Sequence, residues 1–433
     1  MLYFQAIAGY VFFLFVAYLF SSSRKSINYR LIIAGLILQF VLAVLLLKTP
    51  FFVEGFQFAS RCFVKVLDFS LVGAQFLFGD LAKNSASGNV NHNLGFVFAF
   101  QVLPSIVFFS TLTAGLYYLG ILQKVVFGMA WLMSKTMKIS GAESISAVSN
   151  IFLGQTESPL LVKPFLAKMT KSEIMCVMTA GMATIAGGVM AAYIQFLGGN
   201  DTQSKIAFAS YLLTASVINV PSSIVFAKIL YPETKNIDKK LELNNENFGS
   251  NLLDALSIGA TDGVKLAVGV GAMLLTFISL IALVNYGFEK MGAVTGLNEI
   301  INNNTAGVFS VLNMQYILGQ ICRPFAFFMG IPWHETLQVG SLLGEKTVIN
   351  EFVSYLSLSE MKNAGTLSAR SIYIATFALC GFSNFSSIAI QVGAMSVLAP
   401  NQRSTFSELG FRALLAASLA CFMSGLWAGI LLN

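Results

Sequence analysis

Apolar stretches of helical length recur along this chain, at residues 2–20, 31–47, 94–122, 174–197, 206–229, 266–288, 372–398 and 411–432. An α-helix needs about 20 residues to cross a hydrocarbon core of ~30 Å. A backbone in lipid satisfies its polar groups only as a helix or a closed barrel. The spacing therefore predicts an all-α membrane protein with eight transmembrane helices. Composition agrees: 56% of the 433 residues are hydrophobic and 11% charged, where a soluble domain carries about 25% charged.

On that reading the net charge of +6 belongs to basic cytoplasmic loops, and no nucleic-acid partner is expected. Arg24, Lys25 and Arg30 place the first loop inside and both termini outside. No charged n-region precedes residues 2–20, so a retained span is expected there and not a cleaved signal. The five cysteines are scattered, and His92 and His334 stand alone. They make neither a disulfide framework nor a metal spacing nor a triad. Residues 51–79, 122–139 and 251–265 read as amphipathic, and 80–93, 231–250 and 300–305 as polar loops. Trp131, Trp333 and Trp427 read as interface anchors, and Arg323 as a snorkelling charge.

Two regions break the simple pattern. Ser140 and Glu143 have the spacing of a capping box that opens a helix. The apolar arm 145–153 then meets the polar run Gly154-Gln155-Thr156-Glu157-Ser158 and Pro159, and a second arm, 160–169, follows. Arms of about 10 residues reach roughly 15 Å, half the core thickness. This predicts a re-entrant hairpin with its polar tip near mid-depth. Residues 344–355, with Asn350 and Glu351, resemble a second such tip. Thr170 with Glu173 and Thr405 with Glu408 read as further capping boxes, opening the spans at 174 and 411.

The halves echo each other. Ala180-Gly181-Met182-Ala183-Thr184 parallels Cys380-Gly381-Phe382-Ser383-Asn384. Each lies in a span that follows a hairpin with a glutamate at its tip. That order is expected of an inverted-topology repeat, with a binding site at the repeat interface.

A carboxylate at bilayer depth costs several kcal/mol unless it faces a partner or a cavity. Glu157 and Glu351 occupy such positions. Gln155, Thr156, Asn350, Asn384 and Ser387 supply amides and hydroxyls beside them, while Val189 and Phe382 offer an apolar face for a ring. This set suits a neutral, hydroxylated, amide-bearing solute. Asn150, Thr184 and the carbonyls of Leu153 and Ile185 make a plausible oxygen set for a small cation. An intramembrane enzyme would need a nucleophile–base pair or a metal cluster, and neither is visible, so an enzyme is not expected.

Gly154-Gln-Thr-Glu-Ser-Pro159, Met178-Thr-Ala-Gly-Met-Ala-Thr-Ile-Ala-Gly187, Asn350-Glu-Phe-Val353 and Cys380-Gly-Phe-Ser-Asn-Phe-Ser-Ser-Ile388 closely resemble the concentrative nucleoside transporter family, in its bacterial form. The likeness runs through nearly the whole chain and is strongest over 140–235 and 331–398. It implies eight spans and two re-entrant hairpins, a homotrimer in the bacterial inner membrane, and an elevator-type transport cycle. It divides the chain into scaffold spans (1–122), an interfacial helix (123–139), a first transport repeat (140–235), a linking region with span 6 (251–330) and a second transport repeat (331–433). It assigns the nucleobase to Gly154, Gln155, Thr156, Glu157 and Val189, and the ribose to Glu351, Asn384 and Ser387, with Phe382 nearby. It maps a sodium site to Asn150, Leu153, Thr184 and Ile185, with sodium as coupling ion and no other cofactor. Proton-coupled nucleoside symport, and cation symport of another small polar solute, are the alternatives.

Overall fold

A computed structural model describes residues 2–82, 97–199, 201–238, 240 and 249–432, and every regular element among them is helical. His92, Lys239 and most of the 80–93 loop lie outside the described residues. The chain opens with α1 (Leu2–Leu19), α2 (Tyr29–Lys48) and the amphipathic α3 (Pro50–Phe78). A single turn, α4 (Phe98–Gln101), leads into α5 (Leu103–Tyr118) and α6 (Ile121–Met137).

The capping box at Ser140 forms. Glu143 N–H donates to Ser140 Oγ at 3.2 Å, and Ser140 N–H donates to Glu143 Oε2 at 3.0 Å. It opens α7 (Gly141–Ser149), which stops at the polar run. The chain returns through a 3-10 segment, Ser158–Val162, and α8 (Lys163–Leu166). The expected second arm is thus only partly α-helical, because Pro159 and Pro164 each lack a backbone donor. The Thr170–Glu173 box also forms, through bonds of 3.1 and 2.8 Å, and opens α9 (Lys171–Ala183). After a break at 184–186 come α10 (Gly187–Gly198) and α11 (Thr202–Leu230), which carries Pro221 inside.

The second half holds α12 (Leu252–Thr295), α13 (Leu297–Asn304), α14 (Met314–Phe328), α15 (Thr336–Val348) and α16 (Glu351–Asn363). It ends with α17 (Ala369–Leu379), α18 (Phe385–Leu398) and α19 (Arg403–Leu431). The hairpin α15–α16 turns at Ile349 and Asn350, and Asn350 caps α16 by accepting from Val353 N–H at 3.0 Å.

Four expectations are corrected. Residues 251–265 and 266–288 are one helix of 44 residues, ~66 Å long. Asp262 and Lys265, paired with each other at 2.9 Å, lie within it and mark no boundary. The 300–305 loop is mostly the end of α13. The third capping box does not form: α19 already begins at Arg403, and Glu408 pairs with Lys171 at 2.7 Å. Trp427 is no interface anchor but packs between Tyr10 and Phe40, at 5.9 and 5.1 Å. Arg323 lies over the Trp333 ring and also donates to Thr336 Oγ1 at 3.0 Å, tying α14 to α15.

Among the described residues, seven helical stretches are long and apolar enough to cross a membrane. Six of them are expected spans and the seventh is α3. The remaining expected spans are α1 and the broken α17–α18 pair, whose apolar helices are shorter. The chain is a multi-pass membrane protein. Helices α9, α11 and α19 are mostly buried, whereas α2, α3 and α12 are mostly exposed.

The two broken spans cross at the centre. Asn219 of α11 donates through one amide nitrogen to Ala183 O at 2.7 Å and to Cys380 O at 2.8 Å. Phe382 N–H donates to Thr184 O at 3.3 Å. A Cβ on Gly381 would fall 2.8 Å from Met182 O, so glycine is needed for this approach. Carbonyls orphaned by the interruptions are thereby satisfied inside protein, as lipid requires.

Candidate functional site

The crossing brings the hairpin tips together. One cavity of ≈ 540 Å³ is lined by Gly154, Gln155, Thr156 and Glu157 of the first tip and by Val189 of α10. Asn350 and Glu351 of the second tip, Phe382 of the break, and Asn384 and Ser387 of α18 complete that side. Every expected solute-binding residue therefore faces one space. The opposite wall is α12, with Asp262, Lys265, Leu266, Val270, Met273 and Leu274, and α5 adds Ser110. A smaller space of ≈ 230 Å³ adjoins it and shares Ser110, Glu157 and Asp262.

The polar groups are oriented by backbone. Asn384 caps α18, so its Oδ1 accepts from Ser387 N–H at 2.8 Å. Its Nδ2 is then left to donate to Glu351 Oε2 at 2.9 Å. Tyr193 Oη donates to the other oxygen, Oε1, at 2.9 Å. Glu351 is 3% exposed and has a donor on each oxygen, which answers the cost of burying a carboxylate. Glu157 Oε2 accepts from Gly154 N–H at 3.3 Å, which closes the first tip on itself.

Sequence reasoning missed Tyr193 and the α12 wall. Tyr193 stacks on Tyr355 at 4.3 Å and is wholly buried. It stands four residues after Val189, so it shares that helical face, and this was the available signal. The α12 residues carried no comparable signal, because only the fold brings that span to the tips.

The four residues expected to hold a cation gather at two adjacent breaks. Gly187 N–H donates to Phe152 O at 3.4 Å, and a Cβ on Gly154 would lie 3.8 Å from Ala186 Cβ. This joins the segment holding Asn150 and Leu153 to the one holding Thr184 and Ile185. Asn150 Nδ2 is anchored on Ser146 O at 2.7 Å, which leaves Oδ1 buried and without a hydrogen-bond partner among the described residues. Among the described residues no backbone N–H outside the helices donates to the Leu153 or Ile185 carbonyl. Thr184 Oγ1 donates to Ala180 O at 3.0 Å, so its lone pairs are available. These oxygens fit a small hard cation.

Comparison with known proteins gives a consistent family. Residues 211–429 match the family "Na+ dependent nucleoside transporter C-terminus", residues 8–81 its N-terminal counterpart, and residues 99–200 a "Nucleoside recognition" family. The chain is 39% identical over 440 residues to solute carrier family 28 member 3 of Mus musculus, covering 98% of this chain and 58% of that protein. It therefore spans less than two thirds of that relative's length. It is 38% identical over 434 residues to an uncharacterized transporter of Haemophilus influenzae, covering 99% of this chain and 98% of that one. Among solved structures it resembles CNTnw in an inward-facing substrate-bound state, with a TM-score of 0.89, 37% identity, and coverage of 100% and 98%.

Proposed function

As this chain belongs to the Na+ dependent, or concentrative, nucleoside transporter family, we propose that it is a sodium-coupled symporter that imports nucleosides across the bacterial inner membrane. The observation that carries the reading is the single cavity between two hairpin tips, with a buried carboxylate on one side and an amide-bearing tip on the other. Glu351, held by Tyr193 and Asn384, accepts hydrogen bonds from the sugar hydroxyls. Gln155, Thr156 and Glu157 meet the edge of the base, and Val189 and Phe382 cover its faces. Sodium sits on Asn150 Oδ1, Thr184 Oγ1 and the carbonyls of Leu153 and Ile185.

Sodium and solute are coupled because their sites share one tip. Residues 150 to 153 and 154 to 157 are parts of the same turn. Sodium on the first part lowers the freedom of the second, so each ligand raises the affinity of the other. The loaded tips and broken spans move together past the α5–α12 wall in an elevator-type step. The exposed apolar faces of α3 and α12 are where copies meet in a homotrimer.

The test is uridine uptake into proteoliposomes, first with an inward sodium gradient and then with a proton gradient. Uptake should follow sodium. Uptake driven by protons alone would overturn the coupling ion. A failure of uridine and other nucleosides to be taken up, with amino acids or free bases taken up instead, would overturn the solute.

A further inference from the structure

The base-side amide, Gln155, has two ways round: its oxygen or its nitrogen can face a solute. Its oxygen is already committed. Gln391 of α18 donates from Nε2 to Gln155 Oε1 at 3.1 Å, and from the same nitrogen to Met178 O at 3.2 Å. Met178 O is a backbone carbonyl of α9 and can only accept, so Gln391 must turn its nitrogen toward it. The opposite rotamer would set two carbonyl oxygens against each other. Gln155 must then offer its oxygen to Gln391 and its nitrogen elsewhere. That nitrogen donates to Ser387 Oγ at 3.0 Å. Ser387 Oγ accepts this bond, so its own hydrogen is free to point into the cavity that both residues line.

Gln391 is 1% exposed and is not among the residues lining the cavity. Space is reserved for the contact: a Cβ on Gly181 would fall 2.5 Å from Gln391 Nε2. Burial keeps Gln391 from exchanging these bonds for bonds to water.

We propose that Gln391 is a positioning residue that sets base selectivity by fixing Gln155 as a hydrogen-bond donor toward the solute. The inference rests on the functional reading above and refines it. A fixed donor at Gln155 favours a base presenting a carbonyl to it over the same base presenting an amino group. Losing or inverting one buried hydrogen bond changes such a ratio roughly three- to tenfold.

The experiment measures KM for uridine against cytidine, and for inosine against adenosine, in sodium-energised proteoliposomes. The unaltered protein is compared with Gln391→Met, Gln391→Glu and Gly181→Ala. The carbonyl-bearing member should have the lower KM in the unaltered protein, and the ratio should fall at least threefold toward unity in the variants. A merely structural role for Gln391 would raise all KM values together. Gly181→Ala crowds the Gln391 amide at 2.5 Å and Gln155 Cβ at 3.3 Å without altering either side chain, so it keeps the test alive if a Gln391 variant fails to fold. Uptake with an unmoved ratio in every folded variant overturns this inference alone. Failure of the unaltered protein to take up any of the four nucleosides overturns the functional reading and the inference with it.

Discussion

Replacing Tyr193 with Phe isolates one hydrogen bond at the centre of the site. The ring contacts with Tyr355 at 4.3 Å and Phe352 at 4.9 Å survive, since both are made by the aromatic ring. What is lost is the hydroxyl that donates to Glu351 Oε1 at 2.9 Å. Asn384 still holds Oε2, so the carboxylate keeps one tether and can swing about it. A hydrogen bond to a charged group contributes about 1.5–3 kcal/mol net. If that sum is felt in presenting Glu351 to the solute, uridine affinity falls roughly 10- to 150-fold. The assay is calorimetric titration of purified protein with uridine in saturating sodium, with thermal melting alongside. The melting midpoint should change little, because packing is retained. A Tyr193→Phe protein that melts like the unaltered one and binds uridine equally well would refute the argument, and Glu351 would then be oriented by Asn384 alone.

Two other outcomes follow from the same geometry. Asn150→Ala removes a buried side-chain oxygen that has no hydrogen-bond partner among the described residues, and should raise the sodium concentration for half-maximal uptake about tenfold, roughly one hydrogen bond's worth; uridine KM at saturating sodium should stay close to normal. Lys228 forms a buried ion pair with Glu143 and donates to Ser172 Oγ at 2.9 Å, joining α11 to the starts of α7 and α9. Lys228→Met should cost about 3–5 kcal/mol by stranding a buried carboxylate, seen as a lower melting midpoint, and Glu143→Gln added to it should restore part of the loss.

The elements most legible in the sequence were those governed by local chemistry. The boxes at Ser140–Glu143 and Thr170–Glu173 formed because capping needs only residues three apart. The same pattern at Thr405–Glu408 misled, because α19 starts earlier and Glu408 is taken by Lys171 from a distant helix. The 44-residue α12 reads from sequence as two pieces, since Asp262 and Lys265 look like a boundary by composition but pair with each other inside one helix.

By itself the sequence determined that the chain lives in a membrane, because no other solvent accepts so many uncharged helical stretches. It also singled out Glu157 and Glu351 as candidates for the site, because a carboxylate in an interrupted apolar segment must face a partner or a cavity, and both line one cavity. Only the tertiary structure decided which partners. Tyr193 for Glu351, Gln391 for Gln155 and Asn219 for both broken spans come from segments 158, 236, 36 and 161 residues away. The direction in which each amide points follows from a carbonyl or helix end that the fold alone brings within reach. Hydrogen-bond polarity inside a buried site is a property of the whole network, and no single stretch of sequence contains it.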